Sequence, residues 1–285
     1  MEQMSNWKLN GWGILVGWLL LSFPTEALEI KINPDNPQLG DTVSVTIETD
    51  PNEATPRVTW GEENYPVFAV RNNQYRVLIP TTPLDDSGKY PLTIQGENTV
   101  RNFLVWLRDR SFPTQRLWIS GNSLSATEIE LDRVARFKEL VTPEKYWQGA
   151  FLRPNQGSVS TIFGVRRYYN GEFAENYYHK GVDYAAPTGS PVVAPASGKI
   201  ELVGTESEGF NVHGNTVGID HGQGVLSIFL HLNNINVSEG EMVKAGQKIG
   251  TVGSTGASTG PHLHWGLYVN GQAVDPSPWR FKGVE

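Results

Sequence analysis

Cysteine is absent from the 285 residues, which removes disulfides, thiolate nucleophiles and every thiolate-based metal site. Any bound metal has to be held by His, Asp or Glu. Positive charge is scarce too: Lys and Arg number 23 against 30 Asp and Glu, for a net charge of −7. No basic run could track a phosphate backbone, so nucleic acid is excluded as a partner. Long apolar runs are also missing. The longest, Gly11 to Phe23, has about 13 residues, whereas a spanning helix needs about 20. Preceded by Lys8 and followed by Pro24-Thr25-Glu26-Ala27, it reads as a signal peptide over residues 1–27, cleaved rather than kept as an anchor. The mature chain is expected outside the cytoplasm, in the periplasm or cell envelope or secreted, with no stable membrane span.

What is present divides into two domains, mainly β. Residues 28–110 show short alternating runs, such as Thr42-Val43-Ser44-Val45-Thr46-Ile47 and Tyr75-Arg76-Val77-Leu78-Ile79, broken by Asn33-Pro34-Asp35-Asn36-Pro37 and Asp85-Asp86-Ser87-Gly88. Period-two alternation between turn signals predicts an antiparallel β-sandwich. The segment Asp86-Ser87-Gly88-Lys89-Tyr90 resembles the corner before a late strand of immunoglobulin-like domains. Residues 111–145 read as a linker containing a helix. Ser125 and Glu128 form a capping box there, Leu124 and Ile129 a hydrophobic staple, Val134, Phe137 and Val141 follow at helical spacing, and Pro143 ends the run. From residue 146 to 285 the composition turns to Gly, Val, Ile and Thr with frequent turn signals, as in an antiparallel, barrel-like β unit.

All six histidines fall in this last part. In His179-Lys180-Gly181-Val182-Asp183, a His and an Asp four apart share a face on a strand or one helical turn, so both could reach one ion. In Gly260-Pro261-His262-Leu263-His264-Trp265-Gly266, two imidazoles separated by one apolar residue point to one side of a strand while Leu263 points to the other. The run Gly253-Ser254-Thr255-Gly256-Ala257-Ser258-Thr259-Gly260 before it lets a substrate backbone approach closely. It is no phosphate loop, since no Lys follows the glycines. In Ser227-Ile228-Phe229-Leu230-His231-Leu232, alternation sets His231 opposite its leucine neighbours. His213 and His221 read as non-catalytic.

These motifs, with Thr161-Ile162-Phe163-Gly164-Val165-Arg166, Pro191-Val192-Val193-Ala194-Pro195-Ala196-Ser197-Gly198, Gly214-Asn215-Thr216-Val217-Gly218-Ile219-Asp220-His221-Gly222 and Val243-Lys244-Ala245-Gly246-Gln247-Lys248-Ile249-Gly250 in that order, resemble the lysostaphin-type, or LytM-like, zinc endopeptidases over about Gly157 to Trp279. The resemblance implies that His179, Asp183 and His264 bind one zinc ion and that His231 and His262 are unligated catalytic imidazoles. It further implies hydrolysis of peptide bonds in peptidoglycan, either in glycine-rich bridges or in cross-links of D-alanine and a diamino acid. Phe229 stands where the family often has Tyr, and Thr161 where Ser is commoner.

Two other classes bear comparison. A non-catalytic LytM-like activator or binding protein of the wall would typically lack a metal ligand, and all the ligand positions are filled here. A biotinyl or lipoyl carrier resembles Gly240-Glu241-Met242-Val243-Lys244-Ala245-Gly246 but needs a modifiable Lys at a hairpin tip, which this sequence does not offer. A wall hydrolase also endangers its own cell. The N-terminal domain is therefore expected either to cover the groove, with a cell-wall regulatory protein as a possible partner, or to dock the enzyme on the wall, and the aromatics between Tyr168 and Tyr178 offer a surface for such cover.

Overall fold

The computed structural model describes residues 28–284 apart from Asn52, Asn98 and 119–124; the expected signal peptide and Leu124 of the expected staple lie outside these. The chain is mainly β. Strands β1 (Glu29–Asn33), β2 (Thr42–Glu48), β3 (Arg57–Trp60), β4 (Glu63–Tyr65), β5 (Phe68–Arg71), β6 (Gln74–Pro80), β7 (Gly88–Gln95) and β8 (Val100–Leu107) form the N-terminal part. They make two four-stranded sheets, ordered β1-β2-β6-β5 and β4-β3-β7-β8. This is a Greek-key sandwich. Its core is apolar, built from the inward residues of both sheets: Val43, Val45, Ile47, Val77 and Ile79 against Val58, Trp60, Leu92, Ile94 and Val105. The Tyr90 hydroxyl donates to the Asp86 carbonyl at 2.8 Å, fastening the turn that leads into β7.

The next segment is built into the C-terminal part. Strand β9 (Thr114–Leu117) pairs in parallel with β11 (Arg166–Tyr169), which forms a hairpin with β12 (Glu172–Phe173). Helix α1 runs from Glu128 to Lys138, and its N-cap is Thr127, whose side chain accepts from the Glu130 N–H. The N-cap therefore lies two residues beyond the Ser125 of the expected Ser125/Glu128 capping box, and Glu130, three residues after the cap, turns its carboxylate elsewhere. Thr127 wins because its hydroxyl also donates to the Gly209 carbonyl at 2.8 Å, so the start of the helix is fixed by a tertiary contact that local spacing does not reveal. Val134 and Phe137 enter the C-terminal core. Phe137 packs where a Cβ on Gly218 would come within 2.7 Å of its ring, so only glycine admits the helix this closely.

The C-terminal part comprises β10 (Ser158–Thr161), β13 (Val182–Ala185), β14 (Pro191–Val193), β15 (Gly198–Gly204), β16 (Asn215–Gly222), β17 (Val225–Ile235), β18 (Met242–Val243), β19 (Lys248–Val252), β20 (His262–Val269) and β21 (Gln272–Val274), closed by helix α2 (Pro276–Phe281). They form a ten-stranded sheet along β10-β13-β20-β17-β16-β15-β18, with β14 and β19 branching from β17 and β21 from β20. The two parts meet at a polar and aromatic seam. Thr42 accepts from the Trp279 indole at 3.1 Å, Asn270 donates to the Leu78 carbonyl at 2.7 Å, and Arg110 pairs with Asp275 at 2.7 Å. Among the described residues, no helix is long and apolar enough to cross a membrane.

Candidate metal centre and its groove

The site grows out of strand register. β13 and β20 are antiparallel with Asp183 opposite His264 and Ala185 opposite His262, and β20 continues onto β17 with His264 opposite Leu230. Leu263 and Trp265 are fully buried in the core, so alternation turns His262 and His264 to the other face. His179 lies just before β13. Its N–H donates to the Val165 carbonyl and its own carbonyl accepts from Gly164, both at 2.9 Å.

Three side-chain atoms converge there. His179 Nε2 lies 3.1 Å from Asp183 Oδ1 and 3.1 Å from His264 Nδ1, and the latter two atoms are 2.9 Å apart. All three residues are buried. The other nitrogen of His179 lies 2.8 Å from the Ile162 carbonyl; a carbonyl can only accept, so Nδ1 carries the proton and Nε2 presents a lone pair. Gly181 makes the approach possible, since a Cβ there would lie 2.3 Å from the Trp265 carbonyl oxygen and 2.8 Å from His264 Nε2. Two imidazole nitrogens and one carboxylate oxygen are a donor set of the kind that catalytic zinc sites use, and bonds of about 2.0–2.2 Å span a triangle of this size, so the group could hold a metal ion. Protonation states agree with it. Burial opposes charge on Asp183, yet the adjoining His179 and His264 imidazoles hold its carboxyl far below the usual range. Burial pushes the His264 imidazole down to about 4, leaving it neutral at pH 7.

Two more imidazoles border the triangle. His262 Nδ1 donates to the Gly260 carbonyl at 2.8 Å, and His231 Nδ1 donates to the Thr255 carbonyl at 2.8 Å. Both rings therefore present Nε2. Their centroids are 4.8 Å apart, and His262 Nε2 is 4.0 Å from Asp183 Oδ1. Burial first, then the neighbouring His262 and His264, pushes His231 down to about 3. His231 is not the plain alternating strand residue that its sequence suggests. Its φ is 62°, and β17 changes partner across it, from β20 at Leu230 to β19 at Leu232. Its N–H leaves the ladder and donates to the His213 carbonyl at 3.0 Å.

The structure thus brings His179, Asp183, His264, His231 and His262 together and engages the imidazoles of the remaining two histidines elsewhere. His221 is fully buried between the Ser197 carbonyl and the Ser227 hydroxyl, each at 2.9 Å. His213 bonds instead to Glu130 of α1, a residue that motif reading passed over because its partners lie more than 80 positions away. The aromatics of β11 and β12 are largely self-packed: Tyr168 meets Phe173 at 4.9 Å with Arg116 of β9 over its ring at 4.2 Å. Tyr178 is buried and donates to the Ala273 carbonyl.

With this geometry in place, comparison with known proteins is informative. Residues 177–276 match the family described as Peptidase family M23. The chain is 48% identical over 98 residues to the DD-carboxypeptidase/endopeptidase Mpg of Neisseria meningitidis serogroup B, covering 34% of this chain and 22% of that protein. It is 44% identical over 131 residues to the peptidoglycan DD-endopeptidase ShyC of Vibrio cholerae, covering 45% of this chain and 29% of that protein. The matched segment thus spans less than a third of either relative's length. The crystal structure of a peptidase M23 protein from Pseudomonas aeruginosa superposes with a TM-score of 0.64 at 25% identity, over 89% of this chain and 97% of that one.

Proposed function

Because residues 177–276 match peptidase family M23, we propose that the protein is an exported zinc metalloendopeptidase that hydrolyses peptide bonds in peptidoglycan within the cell envelope. His179, Asp183 and His264 would hold the ion, which supplies Lewis acidity to a scissile carbonyl and lowers the pKa of a water molecule. The observation that carries this reading is the triangle of donor atoms, 2.9–3.1 Å on a side, flanked by two imidazoles whose Nδ1 protons are committed to carbonyls. With those protons fixed, His231 and His262 each offer an Nε2 lone pair to the groove. One accepts a proton from the attacking water. The other, once protonated, donates to the oxyanion, and a proton then passes to the leaving amine. Burial makes His231 a reluctant cation, which favours passing its proton onward. The names of the Neisseria and Vibrio relatives favour a D,D-peptide bond over a glycine bridge as the bond cut.

The test is digestion of purified sacculi by the protein with its metal content measured alongside, followed by mass analysis of released peptides. About one zinc per chain and new termini at a D,D-peptide bond are expected. Full zinc occupancy with no peptide released would instead favour the non-catalytic wall-binding reading.

A further inference from the structure

A charged side chain with no exposure to solvent needs a reason, and Glu130 is such a residue. It is the third residue of α1, the position from which a Glu ordinarily reaches back to the helix N-cap. Here its carboxylate turns to the 211–213 loop. It accepts from the N–H groups of Asn211 at 3.1 Å, Val212 at 3.1 Å and His213 at 2.6 Å, and from His213 Nδ1. Burial opposes its ionisation, but the bonds from His213 and Val212 hold its carboxyl below the usual range. Burial also pushes the His213 imidazole down, so the pair is a carboxylate facing a neutral donor. Four donors satisfy one buried anion, and all of them come from a single short loop.

That loop in turn carries the groove. The His213 carbonyl receives the His231 N–H at 3.0 Å, and the Val212 carbonyl receives the Ala257 N–H at 2.9 Å. Ala257 sits between the two residues that hold the proposed catalytic rings: Thr255, whose carbonyl takes His231 Nδ1, and Ser258, whose hydroxyl lies 3.2 Å from His262 Nδ1. His231 also needs outside support, because its φ of 62° is a conformation that a β-strand does not maintain by itself. We propose that Glu130 is a positioning residue for hydrolysis: through the 211–213 loop it fixes the backbone of His231 and the 255–258 segment, and thereby the aim of both Nε2 atoms. The catalytic part of this proposal rests on the functional reading above; the clamp itself does not.

Glu130→Gln keeps the shape but turns an amide NH2 group into a nest of N–H donors, whereas Glu130→Asp keeps the charge on a shorter stem. In the full-length protein, amide hydrogen exchange at His231 and Ala257 is expected to quicken at least about tenfold in Glu130→Gln, with Val43 and Val45 of the sandwich unchanged. Zinc content should stay at the wild-type level, kcat should fall by about 10–100-fold with KM within about twofold, and Glu130→Asp should recover part of both effects. Unchanged exchange at His231 and Ala257 would overturn the clamp. Faster exchange with unchanged kcat would overturn the positioning role. If Glu130→Gln fails to fold, the Glu130→Asp variant decides by the same two readings. A wild-type protein that cleaves nothing would sink the functional reading and the catalytic part of this one, while the exchange data still decide the clamp.

Discussion

The two halves of the molecule bury very different things. The sandwich core is a set of aliphatic residues with one Trp, and its buried charged groups, Asp41 and Arg76, turn toward the seam. Burial raises the Asp41 carboxyl pKa against the Gln38 N–H and Arg110, and Arg76 reaches Gln223. The large sheet buries Asp183, Asp220, His179, His221, His231 and His264, and covers Glu130 of α1. Apolar burial alone suffices for folding, and a buried ionisable group costs several kcal/mol unless it is paired. The expense on one side of the seam therefore marks where chemistry is kept, and the sandwich reads as a body that serves position.

The sharpest way to break this comparison is to remove a member of the triangle. His179→Ala, Asp183→Ala or His264→Ala is expected to abolish stoichiometric zinc and to lower turnover by more than about a thousandfold, because two ligands rarely retain the ion. Metal analysis after dialysis checks it, and any one variant that keeps a full complement of zinc would remove that residue from the ligand set. The next effect is smaller and differs in kind. His231→Ala and His262→Ala should keep the metal and lose about a hundredfold in turnover, the range usual for a lost general base or oxyanion donor. Near-wild-type turnover in His231→Ala would make its bulge a structural feature only.

How much of this could be read in the sequence follows from which forces are local. His262 and His264 were legible because strand alternation is a local rule, and Asp183 because it stands four residues from His179; that the three ligands meet was implied by the family resemblance, since the register that joins them is not local. The sandwich was legible for the same reason. His231 was found by its family position, but its left-handed backbone was not, since that depends on β17 changing partners from β20 to β19. The start of α1 was misplaced by two residues because the hydroxyl that caps it is chosen by Gly209, 82 positions away. Glu130 looked like an ordinary acidic residue of a first helical turn, and only the folded loop shows what it holds.

A third prediction uses pH. All six histidines belong to the C-terminal part, so acid should find its histidine targets there. Burial pushes His221 down to about 4, against about 6.5 for the exposed side chain of the unfolded chain. Between those values the unfolded chain takes up a proton that the folded one refuses. The contribution is therefore fully present above about pH 6.5 and is lost as pH falls toward 4, by about 3 kcal/mol. Urea unfolding of the metal-free protein across that window should show the slope, and His221→Asn, which can still donate to the Ser197 carbonyl, should flatten it. An equally steep loss in the variant would assign the acid sensitivity to other groups.

The smallest expected effect tests whether the sandwich does more than hold position. Covering the groove would require it to reach the histidines, whereas hydrogen bonds from it to the other half fall on Gln223, Asn270, Asp275 and Trp279. From His264 to Asn270 the chain runs along β20, which at about 3.3 Å per residue puts this part of the seam about 20 Å from the triangle. Thr42→Val keeps the volume of the side chain but removes the acceptor of the Trp279 indole N–H, which would remain buried without a partner. The expected cost is about 1–2 kcal/mol of stability, read from the urea midpoint, with hydrolysis of a small soluble peptide unchanged within about twofold. A change in kcat larger than that, in a variant still fully folded at the assay temperature, would mean that the seam communicates with the groove. The apolar half would then be a regulator of the polar one, and the division of labour between them would have to be redrawn.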